Sequence, residues 1–438
     1  MLRLLSSELT ELGISMLSLR IARLITLAVL ITALPAVQAL AIDAPASKSA
    51  PAAVCGQPVV NAPSAILMDA DTGHVLYARN PHQRLPNAST TKIMTAILLI
   101  EHCKPTDKIK ASKNASETQF TSLHLKPGET ITVRDLLMGL MVRSANDAAV
   151  AAAEHLAGNT TEFANLMNRK AKRIGCTNTH FVTPSGLYDP GHYTCVYDLC
   201  LMAKYAFRYP IFNEAISTRK YFLESRTLNR EDLAVFTHSR FLRDYPGADG
   251  VKSGYTKQAG RCYVGSATRN GWRLVSAVLG SSNASVDTAA LMDYGFATFE
   301  TVDVLAANDK CADAKIDGAW HSTVPALAEK DLRIPVPKAG GKVTTRVELL
   351  SVRAPIEKGA KLGKLVALVN GREMASVQLR AGEADGISFL RRAWIVMKWG
   401  GILAVCLIGG LYGTAIAKDT RRRRRGVSSS VRKYSRGR

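Results

Sequence analysis

Ser89 and Lys92 stand three residues apart at the head of an apolar run. On a helix that spacing places both side chains on one face, so the amine can take the hydroxyl proton and make a nucleophile without histidine. At its ordinary pKa of about 10.4 a lysine is charged and useless as a base, so burial and a nearby positive charge must lower it. Lys252, in Lys252-Ser253-Gly254, is the natural source of that charge, and Ser144-Ala145-Asn146 adds a second hydroxyl and a side-chain amide. In this order the three motifs supply the groups required by a serine acyl-transferase working without histidine. A nucleophile at a helix start also has its own N–H and the positive end of the helix dipole facing a developing oxyanion.

The surrounding pattern says what must hold these residues. Ser64 to Asp69 and His74 to Ala78 are apolar runs separated by Ala70-Asp71-Thr72-Gly73, which predicts a hairpin. The segment opened by Ser89 is apolar on every side from Ile93 to Ile100, as expected of a helix in the middle of a domain. Val133 to Met141, Asp147 to Ala157 and Thr161 to Ile174 read as further helices, the last with Glu162 in its first turn. Cys262 to Thr268 and Arg273 to Gly280 read as strands joined by Asn270-Gly271, which sets the third motif on or beside a sheet edge. An α/β domain of helices and an antiparallel sheet is expected over 64–300, and a small all-β domain over 301–388, where short alternating runs rich in Val, Lys, Gly and Pro take over.

The ends address a membrane. Arg20 and Arg23 precede the apolar run Leu24 to Val37, and Ala39-Leu40-Ala41 follows as a small-residue cleavage site, so 1–41 is expected to be a signal peptide and 42–63 an Ala/Pro/Ser-rich linker. The uncharged stretch Trp399 to Ala417, with Trp394 and Lys398 at its border, is close to the roughly 20 residues a bilayer requires, and 394–417 is read as one transmembrane helix. Arg421 to Arg425 follow, which places the tail 418–438 in the cytoplasm and everything before the span outside. Ten Lys or Arg against one Asp in that tail supply much of the net charge of +21, and no aromatic-interleaved basic motif accompanies it, so no nucleic-acid partner is expected. Cys406 lies in the span, which leaves seven cysteines in the remainder with no Cys-x-x-Cys; free, buried thiols are expected for most, and neither a metal nor a cofactor is indicated.

The motifs and their context resemble the serine-type D-alanyl-D-alanine carboxypeptidases, the low-molecular-mass penicillin-binding proteins. The context includes Pro86-Asn87-Ala88, Asn146-Asp147-Ala148, Thr179 to Leu187, His192-Tyr193-Thr194 and Gly247 to Val251, so the resemblance spans roughly 63–388. It implies a β-lactamase/transpeptidase-like fold and, through Ala354 to Gly359, the family's C-terminal β domain. It assigns Ser89 as the acylated nucleophile, Lys92 as the base and Ser144 as the proton relay. Asn146, Lys252, Ser253, Gly254 and Tyr255 become substrate-binding residues, with Lys252 and Ser253 receiving the terminal carboxylate and the Tyr255 N–H matching an oxyanion donor. The implied partners are a peptidoglycan stem peptide ending in D-Ala-D-Ala, β-lactams and the cytoplasmic membrane.

Departures are mild: Ala145 replaces a frequent Gly, Ser253 a frequent Thr, and Ser281 to Asp287 lacks the arginine that clamps the carboxylate in some relatives. Arg240 is read as a surface arginine, and His180, Asp189 and His192 as loop-fixing residues. D,D-endopeptidase or transpeptidase activity uses the same acyl-enzyme and stays open. A class A β-lactamase would need a deacylating glutamate, for which Glu162 comes too early, and a catalytically silent wall-binding protein would not keep all the reactive side chains.

Overall fold

A computed structural model describes residues 56–434 except 322 and 388. The expected leader lies outside the described residues, as does most of the linker. Its last part is not a linker: Val60 and Ala62 are buried, and the amides of Asn61 and Ala62 each donate 3.0 Å bonds to the buried Asp287 carboxylate. Asp287 offers four lone-pair directions and so captures a strand-like approach that composition alone reads as loose.

The predicted hairpin forms as β1 (Ser64–Asp69) and β2 (Val75–Arg79). Three long strands follow late in the chain: β3 (Ala248–Thr256), β4 (Gly260–Arg269) and β5 (Trp272–Ser281). Asn270 and Gly271 both have positive φ, as the tight β4–β5 turn demands. The sheet is antiparallel with order β2-β1-β5-β4-β3, so the third motif runs along a free edge.

Every residue of β1 is buried, because the sheet is covered on both faces. Ile66 and Met68 point into the core shared with the helical lobe, while Ala65 and Leu67 point to Leu291 and Met292 of the helix Ala284–Thr298, the two-residue alternation of a pleated strand. On the lobe side, α1 (Lys92–His102) is buried through its first eight residues, as its all-round apolarity predicts. Around it pack α2 (Asn146–Ala157), α3 (Thr160–Ile174) and α4 (Val196–Ala206). Asn159 caps α3 by accepting from the Glu162 N–H. Cys195 caps α4, its thiol accepting from the Asp198 N–H.

From Phe299 to Ala381 the regular elements of the described residues are all strands. The strand Phe299–Leu305 pairs with Leu332–Pro337, and a six-stranded sheet runs in the order Val343–Leu349, Lys361–Val369, Arg372–Ala381, Thr323–Ala328, Lys310–Asp317, Val352–Arg353 around its own apolar core. A helix over Phe389–Tyr434 ends the described chain, and within it Arg392–Lys418 is long and apolar enough to cross a membrane. The basic tail is helical as far as Tyr434.

Candidate active site

Ser89 sits in a short 3-10 turn, Ala88–Thr91, that leads straight into α1. The turn is built by polar side chains. Asn87 donates to the hydroxyls of Thr90 (3.1 Å) and Thr91 (2.9 Å), and Thr91 donates to the Ala88 carbonyl at 2.9 Å. The Thr91 oxygen also meets His192 Nε2 at 2.8 Å. His192 Nδ1 accepts from the amides of Val182 (3.1 Å) and Thr183 (3.2 Å), which fixes the neutral tautomer with the proton on Nε2. Burial pushes the imidazole down to about 4, consistent with that neutral form. His192 therefore braces the nucleophile turn from below, as expected for a loop-fixing residue. His180 Nδ1 meets the Gly191 carbonyl and Asp189 accepts from the Gly191 amide, so those two shape the same loop.

Lys92 is fully buried, and its Nζ reaches Ser89 Oγ at 2.8 Å, Asn146 Oδ1 at 2.7 Å and the Ser185 carbonyl at 2.8 Å. Burial first, and the charge of Lys252 second, hold its pKa well below the usual lysine value; Asp147 opposes them. The geometry and electrostatics required of an amine base are thus both present. Asn146 is oriented by its own amide nitrogen, which donates to the Gln119 carbonyl at 2.9 Å, leaving Oδ1 for Lys92. Ser185 is a site residue that the sequence did not single out. It acts through a backbone carbonyl, which no side-chain pattern reports.

Lys252, on β3, is buried with its Nζ 2.9 Å from the Ser253 carbonyl, and desolvation lowers its pKa to about 7. Gly254 follows at the closest approach of β3 to the nucleophile turn: a Cβ there would lie 2.7 Å from Ser89 N and 3.1 Å from the Ala88 methyl. The space that Gly254 leaves is filled by the Ser89 turn. Gly186, at positive φ, is bound by the same turn, where a Cβ would collide with the Ala88 carbonyl. Ser144 caps a π-helical turn, Gly139–Arg143, in left-handed conformation with φ 69°, a costly state for serine, two residues before α2 begins.

These groups converge on one cleft of about 1130 Å³. Ser89, Ser144, Asn146, Ser253, Gly254 and Tyr255 all line it. Lys92 and Lys252 stand behind the wall, buried. Arg240 is exposed and also lines the cleft, so it is more than a surface arginine. Among the described residues, no Asp or Glu lines this cleft, and Glu162 lies exposed in the first turn of α3. That arrangement lacks the deacylating carboxylate of a class A β-lactamase.

Residues 51–283 match the family described as D-alanyl-D-alanine carboxypeptidase, and residues 299–386 match the penicillin-binding protein 5 C-terminal domain. The chain is 34% identical to the D-alanyl-D-alanine carboxypeptidase DacF of Bacillus subtilis, over 76% of this chain and 88% of that one. With DacA of Haemophilus influenzae it shares 33% identity, over 79% and 92%. The crystal structure of penicillin binding protein 5 from Haemophilus influenzae superposes with a TM-score of 0.67 at 30% identity, covering 76% of this chain and all of that one. With motif geometry, fold and both domains in agreement, the chain belongs to the D-alanyl-D-alanine carboxypeptidase family of penicillin-binding serine hydrolases.

Proposed function

We propose that this protein removes the terminal D-alanine from peptidoglycan stem peptides ending in D-Ala-D-Ala, through an ester on Ser89. The observation that carries the assignment is the 2.8 Å contact between Ser89 Oγ and a Lys92 amine whose pKa is depressed by burial and by Lys252. Lys92 takes the hydroxyl proton as Oγ attacks the carbonyl carbon of the penultimate D-alanine. The oxyanion faces the Ser89 N–H and the Tyr255 N–H, on segments that the glycine at 254 allows to touch. Ser144 hands a proton to the departing amine, the C–N bond breaks, and D-alanine leaves. Water then opens the ester and the proton returns to Ser89.

Lys252 and Ser253 receive the terminal carboxylate, while the free edge of β3 offers backbone groups for the peptide to add as a strand. A β-lactam presents the same acyl group and carboxylate, and acylates the same oxygen. Supporting a membrane location, Arg392–Lys418 has the length and apolarity of a span and is followed by Arg421 to Arg425. By the preference of basic residues for the cytoplasm, the tail lies inside and the catalytic and β domains outside.

The test is labelling with a fluorescent penicillin followed by peptide mass spectrometry, together with product analysis on a pentapeptide ending in D-Ala-D-Ala. The expected adduct is on Ser89 and is lost in Ser89→Ala. An adduct elsewhere removes the mechanism. Release of D-alanine with and without an added amine acceptor separates hydrolysis from transpeptidation.

A further inference from the structure

Of the four tryptophans in the chain, three are exposed. Trp272 is buried in the catalytic domain, its indole N–H donating to Asp69 at 2.7 Å. Trp394 and Trp399 stand on the terminal helix, at the entry to its apolar stretch. The third exposed one, Trp320, is 65% exposed and belongs to a loop of the β domain. An indole has a broad apolar face and one N–H donor, and it gathers at the boundary between lipid and water.

Backbone bonds bring Trp320 to the end of the β domain from which the helix leaves. Its N–H donates to the Gly386 carbonyl at 2.9 Å, and Ala319 bridges to Ile387 in antiparallel register. The His321 amide donates to the Asp385 carboxylate at 2.9 Å. Asp385 is itself buried and exchanges two 2.9 Å backbone bonds with Ile356, so the loop is fastened to a fixed part of the domain. The terminal helix starts soon after, at Phe389. Arg392 opens its membrane-length stretch, and its guanidinium reaches back: a Cβ on Gly386 would lie 3.6 Å from Nη2. With the stretch in a bilayer, that charge stays among the headgroups. Gly386 and the Trp320 backbone stay with it, in a polar layer about 5–8 Å deep on each side of the hydrocarbon.

We infer that the loop from Ala319 to His321 rests on the membrane, with the Trp320 indole seated among the lipid headgroups as a contact separate from the helix. This goes beyond the catalytic reading and rests on Arg392–Lys418 being a membrane span. Lipid is the occupant because the loop is continuous with the entry of the span, and because the next residue, His321, keeps 75% of its side chain exposed. A lone indole beside a polar neighbour suits an interface, whereas a protein partner takes a contiguous apolar patch. A helix alone would leave the domains free to tilt about one point. The second contact fixes their tilt, and with it the height at which the cleft stands above the membrane.

The experiment uses the full chain carrying Trp394→Phe and Trp399→Phe, floated with phosphatidylcholine vesicles. Trp320 is then the fluorophore under test and Trp272 a buried reference. Lipid bearing a nitroxide on its headgroup is expected to remove the Trp320 share of the emission, and lipid bearing it at the end of the acyl chain to leave that share. A further Trp320→Phe change abolishes the headgroup quenching and keeps both flotation and penicillin labelling of Ser89. Headgroup quenching that is the same before and after Trp320→Phe overturns the contact. So does a Trp320 emission that acrylamide quenches as freely in vesicles as in detergent. Shielding from acrylamide without nitroxide quenching assigns the loop to a protein neighbour and overturns the lipid contact too. A chain that does not float with vesicles overturns the span as well.

Discussion

Gly254 lies so close to Ser89 that a Cβ would come within 2.7 Å of the serine's backbone nitrogen. The obstacle is backbone on both sides, so neither strand nor turn can yield without moving the nucleophile. Gly254→Ala is expected to cut the rate of Ser89 acylation by about 100-fold, the usual cost of a misplacement near 1 Å. Folding should survive, since the clash is local. Stopped-flow acylation with a chromogenic cephalosporin reads the rate, and an unchanged rate would show that the turn is softer than its packing implies.

Lys92 and Lys252 differ in task. Arginine keeps its proton at working pH, so Lys92→Arg abolishes acylation, whereas Lys252→Arg retains a cation for the carboxylate and keeps part of the binding. Equal losses in a penicillin-labelling assay would contradict the assignment.

The same pair sets the pH profile. Acylation requires Lys92 neutral, so kcat/KM rises with pH as the depressed Lys92 amine loses its proton, below the ordinary lysine range. It requires Lys252 charged, so it falls again as that group deprotonates at about 7. Lys252→Arg should remove the falling limb and leave the rising one. A falling limb that persists in that variant belongs to another group.

His192 makes folding sensitive to acid. Its imidazole is held down to about 4 by burial, against about 6.5 in an unfolded chain. Between those values the unfolded chain binds a proton that the folded one refuses, so stability falls as pH drops through this window, by about 3 kcal/mol at its lower end. His192→Asn should be less stable at pH 7 but flatter from pH 6.5 to 4. Urea midpoints measured at several pH values check the slope.

Glu129 and Arg226 form an ion pair with both side chains fully buried, Nε to Oε1 at 2.8 Å. Burial alone would raise the carboxyl, but Arg226 and backbone amides hold it below its usual value. Arg226 also donates to the carbonyls of Leu123 and His124, in the segment that follows Phe120. Arg226→Met strands the carboxylate, and a loss of about 3–5 kcal/mol is expected in denaturant unfolding. Loss of less than 1 kcal/mol would mean that water reaches the pair.

How far the chain could be read without coordinates depends on where each interaction is encoded. Ser89 and Lys92 stood out through side-chain type and spacing, and Ser144, Asn146, Lys252 and Ser253 through motifs that resemble the family's; the structure gathers all six about one site. The hairpin turn at Asn270-Gly271 was legible because its backbone needs positive φ. What escaped lies in backbone groups and distant pairings: the Ser185 carbonyl on Lys92, and the ion pair of residues 129 and 226, 97 apart in sequence. Among the residues that the resemblance gives to substrate, Gly254 leaves a space that the structure fills with the Ser89 turn, a backbone contact that no motif reports. The left-handed backbone at Phe120, φ 68°, escaped as well, because nothing local in Gln119-Phe120-Thr121 asks for it.

The three partners of the Lys92 amine have a consequence for timing. An ammonium has three protons and can donate to Ser89, Asn146 and Ser185 at once; the free amine has two and a lone pair. The Asn146 oxygen and the Ser185 carbonyl can only accept. When the amine becomes neutral, the serine hydroxyl is the one neighbour of the three able to donate into the lone pair. Loss of the ammonium proton therefore reverses the Ser89 hydrogen bond by itself, and the hydroxyl turns into line for transfer before any substrate arrives. The resting enzyme is cocked by its own deprotonation.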